Sequence, residues 1–188
     1  MKNFDTLFSI VKMLSEHEAV YAHGSRVARL ACAIAQKIGQ PDADIKHIHF
    51  AAVVHDIGKI QIPAGILNKC GTLDSDEFEI MKKHPELGYS LLKDIKPESV
   101  AAEVALQHHE RLNGSGYPFG LHAEEINPVT KIISVADVVD TMVSPQVYRP
   151  TLNIEDALQE IQQNSGSLYD SEVVAVGITL IEKGEFCV

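Results

Sequence analysis

Cysteine is scarce in this chain. Cys32, Cys70 and Cys187 are odd in number, far apart and never paired as CxxC. That pattern excludes a disulfide framework and makes a reduced, cytoplasmic compartment the simplest expectation. Long apolar runs are missing too: no stretch approaches the roughly 18 consecutive apolar residues of a membrane helix. The opening segment MKNFDTLFSIVKMLSEHE carries acids at helical spacing, unlike a signal peptide. Nor is there a surplus of positive charge, with 16 Lys and Arg against 26 Asp and Glu and a formal net charge of −10. Nucleic acid and membrane surfaces are therefore not expected partners. A small anionic substrate stays compatible, because bound cations would dominate the field of a site. Low-complexity linkers, internal repeats and alternating strand patterns are all absent, so one all-α domain over 1–188 is expected.

What is present is helical periodicity. An N-terminal helix is expected over 1–16, with Leu7, Phe8, Val11 and Leu14 on one face. The next runs from His23 to Ile38, where Gly39 stops it. Pro41 and Asp42 open a helix that reaches His55-Asp56 and ends at Gly58. Asp74 with Glu77 reads as a capping box for a helix reaching Lys83. His84-Pro85 restarts the chain. Ser99 caps a helix ending at His108-His109-Glu110. Asn113 to Glu125 reads as an ordered loop. Pro128–Val143, Asn153–Gln163 and Asp170–Lys183 complete a compact helical bundle.

Along these helices stands a series of metal-type ligands: His23, His55-Asp56, His84, His108-His109 and Asp137, each expected at or near a helix end. Imidazole with carboxylate suits Fe, Mn, Zn or Co, and the lack of cysteine in the set argues against structural zinc. Adjacent side chains on a helix point about 100° apart. His55 and Asp56 can therefore share one centre only by lining a cleft, or each can serve a different ion. A carboxylate can bridge two cations and an imidazole cannot, so Asp56 is the expected bridging ligand. Asp137 lies within the apolar IISVADVVDTMV, where a buried carboxylate needs a cation or hydrogen-bond donors. Asp140, one turn on, is a candidate to orient a ligand. His17, His47, His49 and His122 read as ordinary surface or core histidines. Lys59 is balanced between a solvated lysine near a helix C-terminus and a cation that stabilises phosphoryl charge.

VVHDIGKIQIP followed by HHERLNGSGYP resembles the HD-GYP family, a branch of the HD phosphohydrolases. ILNKCGTLDSDEFEIMKKHPELGYSLL and INPVTKIISVADVVDTMVSPQVYRP extend the likeness over about 17–175, the expected core. The resemblance implies an all-helical bundle that hydrolyses cyclic di-GMP, or a related cyclic dinucleotide, to linear pGpG and in some members to GMP. It implies a dinuclear centre supplying a metal-bridged hydroxide, with Fe or Mn favoured and Zn, Ni or Co acceptable. The ligands by similarity are His23, His55, Asp56, His84, His108, His109 and Asp137. Lys59 and Arg149 correspond to substrate-binding residues, with Lys59 and Asp56 carrying the catalysis. Gly116, Tyr117 and Pro118 form the GYP loop, to which a diguanylate cyclase domain is an expected partner.

The chain departs from the family pattern at three places. Three-metal members carry a glutamate where Ala19 stands, and Glu18 is displaced around the helix, so two metals are expected. Asn113 replaces a loop aspartate. Gln146-Val147-Tyr148-Arg149 replaces an RPYR segment, leaving one arginine where the family has two. A binding module with little turnover is the alternative these departures raise, and an HD enzyme for another nucleotide is a third.

Overall fold

The computed structural model describes residues 16–94, 100–144 and 151–186. The expected helix over 1–16 therefore lies almost wholly outside the described residues, as do Ser99, Gln146, Arg149 and Cys187. The helices are α1 (Glu18–Lys37), α2 (Asp42–Val54), the short α3 (Ala64–Leu67), α4 (Ser75–Met81), α5 (His84–Leu92), α6 (Val100–Gln107), α7 (Pro128–Val143), α8 (Ile154–Gln163) and α9 (Ser171–Glu182). A 3-10 turn, Ile57–Gln61, follows α2. Among the described residues the only β-type pairings are two isolated bridges, so the fold is all-α as expected.

Local chemistry sets many of the boundaries. Gly39 closes α1 at φ 84°, a left-handed backbone conformation that residues with a Cβ rarely adopt. Asp74 and Glu77 form the reciprocal capping box at the start of α4. Asn127 caps α7 by accepting from Val129 N–H, and Pro128 fills the first turn. Asp170 caps α9 by accepting from Glu172 and Val173.

The packing follows the apolar stripes. Val27, Leu30, Ala31 and Ile34 of α1 are buried, and so are Ile132, Ile133, Val135, Ala136 and Val139 of α7. They recur at three and four residues, which places them on one helical face. α1 packs against α2 and α7, α6 against α2 and α5, and α8 and α9 cover α7. One contiguous core results, joining Ile48 and Val54 of α2 with Leu92, Val104 and Ile161. None of the described helices is long and apolar enough to cross a membrane.

Three expectations need correction. α1 begins at Glu18, so His23 lies in its second turn and not at its start. Asp137 lies in the interior of α7, well past Pro128 and well short of Val143. In both cases the flanking apolar residues continue the helix past the ligand. α2 also ends at Val54, one residue before the doublet, and Gly58 lies inside the 3-10 turn instead of ending a helix.

Candidate metal centre

The break between α2 and the 3-10 turn explains how two adjacent residues face one centre. His55 closes α2, while Asp56 adopts φ −97° and ψ 9°, so the chain turns between them. Two glycines then bring other helices against this turn. A Cβ on Gly24 would lie 2.3 Å from the Val53 carbonyl oxygen, and one on Gly58 only 1.9 Å from that of His84. Only glycine permits these approaches. Through them, α1 delivers His23 and α5 delivers His84 to the doublet. α6 ends just before His108-His109, and α7 lies against α1 and carries Asp137.

The two Asp56 oxygens face different partners. Oδ1 lies 3.3 Å from His84 Nε2 and 3.5 Å from His108 Nε2. Oδ2 lies 3.6 Å from both His23 Nε2 and His55 Nε2. Asp137 Oδ1 closes the second side, 3.0 Å from His23 Nε2 and 3.7 Å from His55 Nε2. Ligand atoms of Asp56, His84, His108 and His109 lie within 4.8 Å of one another, and so do those of His23, His55 and Asp56. The carboxylate common to both sets is the one expected to bridge.

Most of the rings are oriented from behind. His55 Nδ1 donates to the Ala52 carbonyl at 2.7 Å and His84 Nδ1 to that of Met81 at 2.8 Å. His108 Nδ1 donates to Ala105 at 2.9 Å. A carbonyl can only accept, so Nδ1 carries the proton and Nε2 presents a lone pair to the centre. His23 Nδ1 donates instead to Asp140 Oδ2 at 2.7 Å. Arg26 holds that carboxylate through Nε at 2.8 Å and Nη2 at 3.1 Å. Asp140 thus takes the orienting role expected of it. Arg26 went unread in the sequence, although it lies three residues from His23 on the same helical face.

These atoms fit cations. His84 Nε2 and His108 Nε2 are 3.2 Å apart, and both present lone pairs. Two nitrogens each about 2.1 Å from one ion, at right angles, lie about 3 Å apart. His55 Nε2 and Asp56 Oδ1 are buried without a hydrogen-bond partner. Each such orphan costs about 1–3 kcal/mol, and more where it is charged, unless something binds it. The cluster could therefore hold divalent metal.

Charge is arranged to match. Burial opposes the Asp56 anion, but Lys59 and the neighbouring imidazoles prevail and hold it well below the usual carboxylate range. Burial opposes the Asp137 anion too, and His23, which bonds it at 3.0 Å, together with the neighbouring His55 ring holds it well below the usual carboxylate range. Burial, only partly offset by Asp56, lowers His108 from 6.5 to about 4, which keeps its imidazole neutral. Burial would lower His23 as well, yet hydrogen bonds to Asp137 and Asp140 raise it from 6.5 to about 9. Lys59 Nζ lies 2.5 Å from Asp56 Oδ2, so the lysine of the HDxGK run points at the centre.

The loop after His108-His109 forms the rim. Glu110 is buried, at 3% exposure, and accepts from Phe119 N–H at 2.7 Å and Leu121 N–H at 3.0 Å. Tyr117 stacks on His109, with centroids 4.6 Å apart and planes at 22°. Asn113, where the family has aspartate, accepts from Ser115 N–H and Oγ, which is turn chemistry within the loop. His17, His47, His49 and His122 take no part in either ligand group.

A family model described as "HD domain" matches residues 9–173. A cyclic di-GMP phosphodiesterase of Thermotoga maritima is 43% identical over 178 residues, covering 93% of this chain and 48% of that protein. A 3'3'-cGAMP-specific phosphodiesterase 3 of Vibrio cholerae is 35% identical over 153 residues, covering 81% of this chain and 33% of that protein. The chain thus spans about half the length, or less, of the curated relatives it matches. Among solved structures, an HDG"Y"P protein from Bdellovibrio bacteriovorus superposes with a TM-score of 0.72 at 21% identity, over 87% of this chain and 52% of that one. With the HD doublet and the helical scaffold now in place, the chain belongs to the HD-domain family, and its GYP loop is the feature by which the sequence resembles the HD-GYP branch.

Proposed function

We propose that this chain is a metal-dependent phosphodiesterase domain that opens a cyclic dinucleotide, cyclic di-GMP or a close relative, to the linear form. One observation carries the reading: Asp56 offers one oxygen to His84 and His108 and the other to His23 and His55. Under it, His23, His55, Asp56 and Asp137 would hold one divalent cation, and Asp56, His84, His108 and His109 a second. Fe or Mn suits this mixture of imidazole and carboxylate. Bound together, such a pair supplies Lewis acidity and a water acidic enough to deprotonate near neutral pH.

The chain's own residues then do the positioning. The Nδ1–H bonds to Ala52, Met81 and Ala105 fix three rings before any cation arrives. Lys59 is partly exposed at the lip of the centre. Beside Asp56, its ammonium is proposed to face a phosphoryl oxygen, where charge grows in the transition state. Arg149 is proposed as a second phosphate or base contact. The GYP loop carries an exposed Phe119 at the rim and is the surface proposed for a diguanylate cyclase domain. Relatives named for cyclic di-GMP and for 3'3'-cGAMP support the cyclic dinucleotide class over any single member of it.

The test is product analysis. Protein stripped of metal and reloaded anaerobically with Mn or Fe(II) is offered cyclic di-GMP, 3'3'-cGAMP and cyclic di-AMP, and the products are separated by chromatography. A linear dinucleotide or mononucleotide from at least one substrate supports the proposal. Tight binding with no product from any of them, at full metal occupancy, contradicts it and leaves a binding module.

A further inference from the structure

The histidines proposed as ligands are not all held in the same way. His23, His55, His84 and His108 each have Nδ1 committed to a carboxylate or a backbone carbonyl. His109 makes no side-chain hydrogen bond among the described residues. It is also the ligand nearest the surface in its group, the other three being buried. Its imidazole is held among three other rings: His108 with centroids at 4.1 Å, His84 edge-on at 5.0 Å, and Tyr117 at 4.6 Å and nearly parallel. An aromatic face at that spacing is attractive and restricts rotation of the ring about its χ angles.

The loop that supplies Tyr117 is itself fastened to the histidine doublet. Glu110 follows His109 directly in sequence, and its carboxylate takes the backbone N–H groups of Phe119 and Leu121, beyond Tyr117 on the returning arm of the loop. The Tyr117 N–H donates to the His109 carbonyl at 3.3 Å. Gly116 brings the backbones into contact. A Cβ there would lie 2.4 Å from Glu110 Cα and 2.5 Å from the His109 carbonyl oxygen. The carboxylate, the glycine and the ring form one continuous brace that begins and ends at His109.

We propose that Tyr117 and Glu110 are positioning residues for His109, with the Tyr117 ring face doing for this imidazole what Nδ1 hydrogen bonds do for the other four. In this account the GYP loop is part of the metal-site scaffold as well as its rim. The inference rests on the proposed ligand set, and it concerns one of the two ions only. Loosening His109 weakens the site of Asp56, His84, His108 and His109, while that of His23, His55, Asp56 and Asp137 keeps all its ligands.

The experiment is Mn or Co(II) titration of the chelator-stripped protein, with metal per chain counted after desalting. Wild type, Tyr117→Ala, Tyr117→Phe and Glu110→Ala are compared. Wild type should take up about two ions. Tyr117→Ala and Glu110→Ala should keep one ion at the wild-type affinity and bind the other about 10- to 100-fold more weakly, the usual loss when a ligand's support is removed. Tyr117→Phe keeps the stacked face and should bind as wild type. Thermal unfolding of the metal-free proteins, followed by circular dichroism, separates this selective loss from a general loss of structure. Tyr117→Ala binding both ions like wild type, both sites weakening together, or Tyr117→Phe behaving like Tyr117→Ala would each overturn the brace. Wild type taking up no more than one ion would instead overturn the dinuclear reading beneath it.

Discussion

Asp56 has two oxygens, and each faces a different pair of imidazoles. Replacing it should therefore do more harm than replacing any single histidine. Asp56→Ala is expected to abolish the uptake of both ions, whereas His23→Ala should weaken only the site it shares with His55 and Asp137, which metal counting on the two variants would show. Lys59 touches Asp56 yet is not a ligand. Lys59→Met should retain both ions and lose about 10²–10³ in kcat, the magnitude seen when one donor to transition-state charge is removed. Loss of metal from this variant would contradict its assigned role. His23 makes a prediction of its own in the metal-free chain. Its folded pKa, raised from 6.5 to about 9, stabilises the fold fully below pH 6.5 and ceases to do so as pH rises through 9. Urea unfolding of chelator-treated protein should show that decline over this window, and His23→Gln should flatten it.

At the scale of elements, α7 carries two burdens. Its apolar face packs the core through Ile132, Ile133, Val135 and Val139, and two carboxylates, Asp137 and Asp140, project toward α1. Ile133 is fully buried and lies on the same helix as the ligand. Ile133→Ala should cost about 2–5 kcal/mol by denaturant titration, with metal uptake by the surviving folded protein unchanged. A cost under about 0.5 kcal/mol would mean that the core does not close as described. The helices were legible because apolar residues recur every three or four positions, and because Gly39, the Asp74–Glu77 box and Pro128 mark ends by simple local chemistry. The clustered residues were legible because the His-Asp and His-His doublets stand out among isolated metal-type side chains, and because a carboxylate such as Asp137 within an apolar helix is costly to bury unless it finds a partner. Arg26 and Glu110 escaped notice because their roles depend on tertiary approach. Arg26 looks like any charge on an exposed helical face until α7 brings Asp140 against it. Glu110 looks like a helix-end acid until the loop folds back over it. The placement of His23 was misread for a related reason: the polar residue was taken as the start of a helix that in fact begins at Glu18, whereas Asp137 was read within Pro128–Val143 and only its nearness to a helix end was mistaken.

For the whole molecule, the centre stitches together segments that are distant in sequence. α1, the end of α2, the start of α5, the end of α6 and the middle of α7 all supply residues to one small volume. Without cations that volume holds orphaned lone pairs and buried charge. Divalent ions should therefore act as a staple between elements and stabilise the folded state by mass action. Free metal at about 100 times its dissociation constant adds about 2.7 kcal/mol per site. A chelator should lower the unfolding temperature by several degrees, and Mn should restore it. A midpoint indifferent to chelator would mean that the cluster is not a cation site. The most direct measurement of the central claim is the number of Mn or Fe ions per chain in wild type and in Asp56→Ala, both reloaded under the same anaerobic conditions and both shown to be folded. The shared-carboxylate account predicts about two ions in wild type and essentially none in the variant. Two ions retained without Asp56 would contradict it.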